Sequence, residues 1–119
     1  MNQNTSPIQA LMQRVIPHHA DQIILEYIVA DGEKDVYEID AKNGKIVLRG
    51  NSISSLSLAL GQYLKHTAKV NFSWCGCDCT LPKTLPVPTP TRQTVEQKYR
   101  VYMNYCTLSY TASWWDFDR

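Results

Sequence analysis

The sequence has no long hydrophobic run and no strong bias of charge. Of its 119 residues, 12 are basic and 11 are acidic, which leaves a formal net charge of +1. This balance gives no electrostatic footprint for nucleic acid or an anionic membrane, so we expect neither as a partner. No apolar segment approaches the roughly 20 residues that a membrane-spanning helix needs, so we expect no membrane span. The first ten residues also lack the basic-then-apolar pattern of a signal peptide.

Several catalytic signatures are also missing. The five glycines form no phosphate-binding loop, and the chain has neither a nucleophile elbow nor a helical HExxH zinc motif. We therefore expect no catalytic residue and no cofactor within these 119 residues.

What is present suits a small globular domain. Hydrophobic residues make up 44% of the chain and charged residues 19%, and this length can bury a core without a metal or disulfide. Helical spacing predicts one helix from Ser6, as N-cap, to Ile16, and a second from Asn51 or Ser52 to about Lys65 with Ile53 in its buried stripe. Alternating or continuous apolar runs predict strands at Gln22–Ala30, Val36–Asp40, Lys45–Arg49 and Val70–Trp74.

The fold class follows from the order of these elements. Asn43-Gly44 between two alternating runs is the strongest local signal for a hairpin. In that hairpin Tyr37 and Ile39 would share a face with Ile46 and Leu48. The order α-β-β-β-α-β predicts an α+β fold in which two helices cover one face of a small, mostly antiparallel sheet.

Proline marks a change in the chain after Leu81. Four of the six prolines fall in the nine residues 82–90, and repeated proline disfavours a helix or a central strand and gives a stiff, extended connector. We therefore predict an N-terminal domain at 1–81, a proline-rich linker at 82–98, and the start of another domain at 99–119.

Three cysteines, Cys75, Cys77 and Cys79, stand at alternate positions. A metal site would need a fourth ligand such as Cys106 or one of the histidines (His18, His19, His66), but zinc sites favour two to four intervening residues. Small apolar residues under a loop, or an adventitious disulfide, explain the spacing better. We therefore expect no metal.

The last 21 residues combine features that packing alone does not explain. Tyr99–Tyr105 is predicted as a strand, with Asn104 near its end and Cys106 continuing the same face. A loop and an aromatic segment follow. Polar groups where a strand gives way to a loop and a helix are typical of the first βα unit of a (β/α)₈ barrel, although an edge strand with a surface aromatic patch is an alternative.

These residues resemble a known family. VLRGNSISSLSLALGQYLKHTAKVNFSW (Val47 to Trp74), a Leu-Pro linker and YMNYCTLSYTASWWDFDR (Tyr102 to Arg119) are similar to the N-terminal part of the α-N-acetylglucosaminidases, family 89 of the glycoside hydrolases. The Tyr-x-Asn-x-Cys-Thr core is the most specific part. The cysteines of WCGCDC depart from the family pattern and take no role from it.

The resemblance implies a small α/β domain followed by a (β/α)₈ catalytic domain and a helical domain. Such enzymes remove terminal α-linked N-acetylglucosamine, as found in heparan sulfate, with retention and without metal. Retention needs two carboxylates, which in the family are glutamates far downstream of this segment. The positions here that match pocket residues are Asn104, Cys106 and Tyr110, which would shape the sugar subsite.

The same resemblance sets our expectations for the whole protein. We expect residues 99–119 to be the truncated first element of the barrel, and the partners to be the protein's own downstream barrel and a glycan. We expect export: to the periplasm or medium in a bacterium, to the lysosome in an animal. Exposed aromatic groups and an unpaired strand would favour self-association through 99–119. The alternative is a free-standing carbohydrate-binding or protein-interaction module.

Overall fold

The computed structural model describes residues 4–29, 32–73, 76–99 and 101. A 3₁₀ turn at Ala20–Gln22 precedes the first strand, and a π-helical turn at Tyr63–Thr67 continues the second helix. The helices and strands are α1 (Ser6–Val15), β1 (Ile23–Tyr27), β2 (Val36–Lys42), β3 (Lys45–Gly50), α2 (Ile53–Gln62), β4 (Asn71–Ser73), β5 (Gly76–Asp78) and β6 (Thr91–Thr94).

Four strands form one mixed sheet in the order β1-β3-β2-β6. The pairs β2–β3 and β2–β6 are antiparallel, and β1 runs parallel to β3. The predicted α+β fold with a mostly antiparallel sheet is therefore confirmed, and the order α-β-β-β-α-β is found before β5 and β6. Strands β4 and β5 form a separate antiparallel pair.

The predicted hairpin lies at the centre of the sheet. Asn43 and Gly44 have φ values of 53° and 75°, and two successive positive φ values are what a two-residue turn of type I′ requires. This turn places Lys42 opposite Lys45 and fixes the register of every pair behind it.

The hydrophobic core lies between the sheet and the two helices. Met12 of α1, Ile16 directly after it, and Ala59 and Leu60 of α2 pack in one cluster with the inner face of the sheet. The four hairpin residues predicted to share a face all belong to this cluster, which confirms that prediction: Tyr37, Ile39, Ile46 and Leu48.

Two details at the starts of the helices differ from the predictions. The N-cap of α1 is Thr5 and not Ser6: its carbonyl accepts the N–H groups of Ile8 and Gln9 at 3.1 and 3.0 Å, and the side chain of Asn4 accepts the N–H of Ser6 at 2.9 Å. Ile53 is 45% exposed and lies outside the core, because it occupies the first position of α2, one turn before the first core residue, Leu56.

The proline-rich segment is extended, and it also completes the sheet. Just after Pro90 the chain forms β6, a strand that was not predicted from the sequence. It pairs with the outer edge of β2. An edge strand that begins after the last proline is compatible with the missing proline N–H groups. The placing of a domain boundary in 82–98 stays a prediction.

Side chains of the N-terminal half hold the start of this segment. The imidazole Nε2 of His19 lies 2.9 Å from the carbonyl oxygen of Pro82. Gln22 donates to the carbonyl of Lys83 at 3.0 Å and accepts the N–H of Leu85 at 2.9 Å, and the Leu85 side chain is buried in the core. The backbone of a segment that cannot form regular secondary structure is thus satisfied by side chains.

Candidate functional site

The site residues predicted from the sequence, Asn104, Cys106 and Tyr110, lie outside the described residues. The structure does describe the chain that leads to them. Tyr99 is 80% exposed and Val101 is 82% exposed, so two large apolar side chains stand in solvent where the described chain ends. The part of the chain that precedes the predicted pocket is therefore placed, and it lies on the surface of the domain.

The cysteine cluster is described only in part. Cys79 is disulfide-bonded, and the side chains of Cys75, Cys77 and Cys106 lie outside the description. A thiolate is the form of cysteine that binds metal, so Cys79 in this oxidised form cannot be a zinc ligand. Within the described ranges, no group of three or more His, Cys, Asp or Glu side chains is placed to hold a metal ion.

The densest group of charges lies on the sheet face opposite the helices, around Arg49 of β3. Its Nε is 2.6 Å from Glu26 of β1, and its Nη1 is 3.2 Å from Asp40 and 3.5 Å from Glu38, both on β2. Glu38 also pairs with Arg92 of β6. The row Glu26–Arg49–Glu38–Arg92 thus links all four strands, because each of these residues stands opposite the next in the register. Asp40 stands opposite Val47 and reaches Arg49 diagonally.

The pKa shifts in this network follow from its hydrogen bonds. The backbone N–H of Ala41 and then the Arg49 side chain hold the pKa of Asp40 below its usual value of 3.8. The hydrogen bond to Glu26 raises the pKa of Arg49 further above its already high value. Both groups therefore stay charged at neutral pH, and their role is to hold the strands together and not to exchange protons.

Sequence reasoning missed this network, although a signal for it was present. A two-residue turn at Asn43-Gly44 pairs residue 42 with 45, and continuing that register places Glu38 opposite Arg49. The pairing of Glu26 and Arg92 with this network could not be predicted from the hairpin register, because these residues lie on the parallel strand β1 and on β6.

The turn after Arg49 joins the sheet to α2. Gly50 is buried, and a Cβ there would lie 2.8 Å from the backbone N of Leu56 and 2.9 Å from Ser55 Cβ, so only glycine fits. Asn51 accepts the N–H of Val36 at 2.8 Å and donates to the carbonyl of Lys34 at 2.9 Å.

Ser52 then caps α2. Its hydroxyl accepts the N–H of Ser55 at 3.0 Å, which satisfies one of the free donors of the first turn. Together with the preceding turn, this cap fixes the direction in which α2 crosses the sheet.

A concave surface lies beside α2. It has a volume of about 960 Å³ and is lined by Ile8 of α1, by Ile53, Ser57 and Leu58 of α2, and by the exposed Tyr99. The side chains that line it are apolar or neutral except for the amine of Lys98.

The comparisons with known proteins agree on one family. Residues 6–87 match the α-N-acetylglucosaminidase (NAGLU) N-terminal domain. Human α-N-acetylglucosaminidase is 33% identical over 76 residues, a stretch that is 63% of this chain and 10% of the human protein.

Solved structures of a family 89 glycoside hydrolase from Clostridium perfringens extend the match to 96% of this chain. The identity is 30% and the TM-score 0.85, both for the complex with 2-acetamido-1,2-dideoxynojirmycin and for a variant with two glutamate-to-glutamine changes in complex with its substrate, GlcNAc-α-1,4-galactose. This chain covers only 13% of that protein. In the described part, no helix is long and apolar enough to cross a membrane.

The chain thus spans about a tenth of the human relative and an eighth of the clostridial one. The family match covers both helices and the strands β1 to β5, so the resemblance noted from Val47 to Trp74 is confirmed. The chain belongs to the α-N-acetylglucosaminidase N-terminal domain family.

Proposed function

We propose that this chain is the non-catalytic N-terminal domain of a longer retaining glycoside hydrolase, which removes terminal α-linked N-acetylglucosamine from glycans such as heparan sulfate. The observation that carries the proposal is the alignment of 96% of the chain with a family 89 hydrolase at a TM-score of 0.85. At 30% identity over the same length, the likeness extends to the sequence and is not one of fold alone.

The non-catalytic role is supported by the charges of the described residues. A retaining glycosidase needs two carboxyl groups about 5 Å apart, one of which must be protonated near neutral pH. The carboxylates around Arg49 are bound to guanidinium groups, and the pKa of Asp40 is lowered and not raised. A carboxylate in that state cannot act as the acid.

The substrate class is supported by the ligand of the clostridial relative. That protein was solved with a GlcNAc-α-1,4-galactose substrate after two glutamates had been changed to glutamine. Replacing the acid and the nucleophile of a retaining glycosidase would stop turnover and leave the substrate intact. We infer that two equivalent glutamates follow residue 119 in the protein to which this chain belongs.

We also propose that Asn104, Cys106 and Tyr110 shape the sugar subsite of that enzyme. Changing Asn104→Ala in the full-length enzyme should lower kcat/KM by an amount equivalent to about 1–3 kcal/mol, as expected for the loss of a buried hydrogen bond to substrate. The melting temperature should hardly change. Unchanged kinetics would remove Asn104 from the pocket.

Export of the full-length enzyme is part of the proposal. The disulfide at Cys79 supports it, because disulfides persist in the periplasm, in secreted proteins and in other oxidising compartments. Fractionation of cells that express the full-length gene tests this point. Recovery of the protein only from the reducing cytoplasm would contradict it.

The test of activity uses the full-length protein and an aryl α-N-acetylglucosaminide, with the β-linked aryl glycoside as the matched control. We expect turnover of the α-anomer alone, and the first product seen by NMR should be α-N-acetylglucosamine because two inversions restore the configuration. The 119-residue chain should give no turnover above background.

Two results would contradict the proposal. Turnover that follows the 119-residue chain through purification would place the catalytic groups within it. A gene that ends after Arg119 would favour the alternative, a free-standing carbohydrate-binding or protein-interaction module.

A further inference from the structure

The groove beside α2 is apolar at its sides and shallow along its floor. Ile53 and Leu58 of α2 and Ile8 of α1 supply the apolar side chains. Three small residues of the helix, Ser54, Ser57 and Gly61, also line it. They are spaced three and four apart, so they form one stripe on the same side of α2.

Gly61 leaves the helix backbone open at the end of this stripe. It lies in the last turn of α2, and a Cβ built there would meet no atom within 4 Å. A floor of small side chains flanked by larger apolar ones is the shape into which the side-chain ridge of a second helix packs. The domain itself supplies nothing in the described part that fills it.

The described chain ends beside the same groove. After β6, the N–H of Val95 bonds to the carbonyl of Asp35 at 2.8 Å, and Glu96 pairs with Lys34, so the chain is held to the sheet up to this point. Tyr99 and Val101 then line the groove while remaining largely exposed.

We propose that the groove on α2 is the contact face for the domain that follows in the longer chain, and that the contacting element is an outer helix of that domain. The proposal rests on the proposed function, because a (β/α)₈ barrel presents a ring of helices on its outer side. Covalent attachment within one chain supplies a high effective concentration, so a groove of this size suffices for stable contact.

Gly61 offers a sharp test in the full-length protein. Arginine and alanine are better helix formers than glycine, and the Cβ that both add at this exposed position meets nothing within 4 Å. If no helix were docked in the groove, Gly61→Ala and Gly61→Arg would therefore raise the stability of the protein. We expect Gly61→Arg to lower the melting temperature of the full-length protein by about 2 °C or more, and Gly61→Ala to lower it less.

The matched control is Gln9→Arg, which adds the same side chain at an exposed position of α1 that does not line this groove. We expect no change in melting temperature for this variant. Equal losses in the Gln9→Arg and Gly61→Arg variants, or a gain in the latter, would overturn the proposal.

Chemical labelling gives a second measurement that does not depend on stability. In the native full-length protein, a maleimide should modify the Gly61→Cys variant about tenfold or more slowly than the Gln9→Cys variant, as read by mass spectrometry of the modified peptides. Equal rates would overturn the proposal.

The two proposals fail in different ways. An active full-length enzyme with an accessible position 61 would reject the docking face and leave the proposed function intact. A protected position 61 in a protein that does not cleave the aryl α-glycoside would reject the proposed function and keep the contact face.

Discussion

The hydroxyl of Tyr63 donates a hydrogen bond of 2.8 Å to the carbonyl oxygen of Pro86, and so joins the end of α2 to the proline-rich segment. Tyr63 is fully buried, and Leu85 beside Pro86 belongs to the same core. The carbonyl of Pro86 thus depends on a side chain that reaches it from the interior.

Changing Tyr63→Phe should therefore destabilise the domain by about 1–2 kcal/mol, because it removes the donor of a part-buried hydrogen bond while the ring volume hardly changes. Urea unfolding measures the effect. The control is Tyr27→Phe, which removes a longer, exposed hydrogen bond of 3.2 Å to Asn4 and should cost less than half as much. Equal effects would mean that the Pro86 contact contributes nothing specific.

The same tyrosine predicts a loss of stability in alkali. Burial raises the pKa of Tyr63 to about 12, above its usual value of 10.0. Between these two values the unfolded chain releases the proton and the folded chain keeps it, so stability falls as the pH rises from 10 to 12. Wild type should lose more stability over this interval than Tyr63→Phe. Parallel pH profiles for the two proteins would contradict the assignment.

Gly50 should tolerate no side chain. A Cβ would lie 2.8 Å from the backbone N of Leu56, so Gly50→Ala must push α2 away from β3, at a cost of about 1–3 kcal/mol. The matched control within the isolated domain is Gly61→Ala, which meets open space and should raise the stability of α2. Shifts of the denaturant midpoint in opposite directions for the two variants would establish the contrast. An unchanged midpoint for Gly50→Ala would show that the helix can shift freely.

The ion pairs across the sheet predict that the stability of the domain depends on pH in the acid range. Changing Arg49→Met should destabilise the domain by about 1–2 kcal/mol at pH 7, because the half-buried carboxylates of Glu26, Glu38 and Asp40 lose their shared donor. The control is Arg92→Met, since Arg92 is 56% exposed and pairs with Glu38 alone; it should cost less.

The sign of the pH effect follows from Asp40. Its folded pKa is lower than its unfolded pKa, so its contribution is present above about pH 4 and is lost as the pH falls through the folded value. The difference in stability between wild type and Arg49→Met should therefore shrink between pH 7 and pH 3. A constant difference would show that the arginine acts through packing and not through charge.

The features that the sequence predicted correctly depend on residues close together in the chain. The type I′ turn at Asn43-Gly44 and the helical periodicity of α2 are encoded within a few positions, and both were found. Even here the start of α1 differed: the carbonyl of Thr5, and not the side chain of Ser6, accepts N–H groups of the first turn.

The missed features join distant residues. The parallel pairing of β1 with β3 leaves no periodic mark in either strand, and β6 follows a proline-rich stretch that favours a connector over a strand. The Arg49 network could be predicted only in part. The hairpin register places Glu38 opposite Arg49, whereas the pairing of Glu26 with Arg49 follows only once the position of β1 is known. The predicted sugar subsite remains a prediction from family resemblance.

The position of β6 has a consequence for synthesis. Arg92 and its partner Glu38 are 54 positions apart, whereas Arg49 is 11 positions from Glu38. A ribosome that adds about 5–20 residues per second would leave the outer edge of β2 unpaired for about 2–9 seconds after the hairpin is complete, because Arg92 follows Arg49 by 43 positions. Glu38, Asp40 and Lys42 place charge along that edge, and charge is what discourages an open strand from pairing with a neighbouring nascent chain.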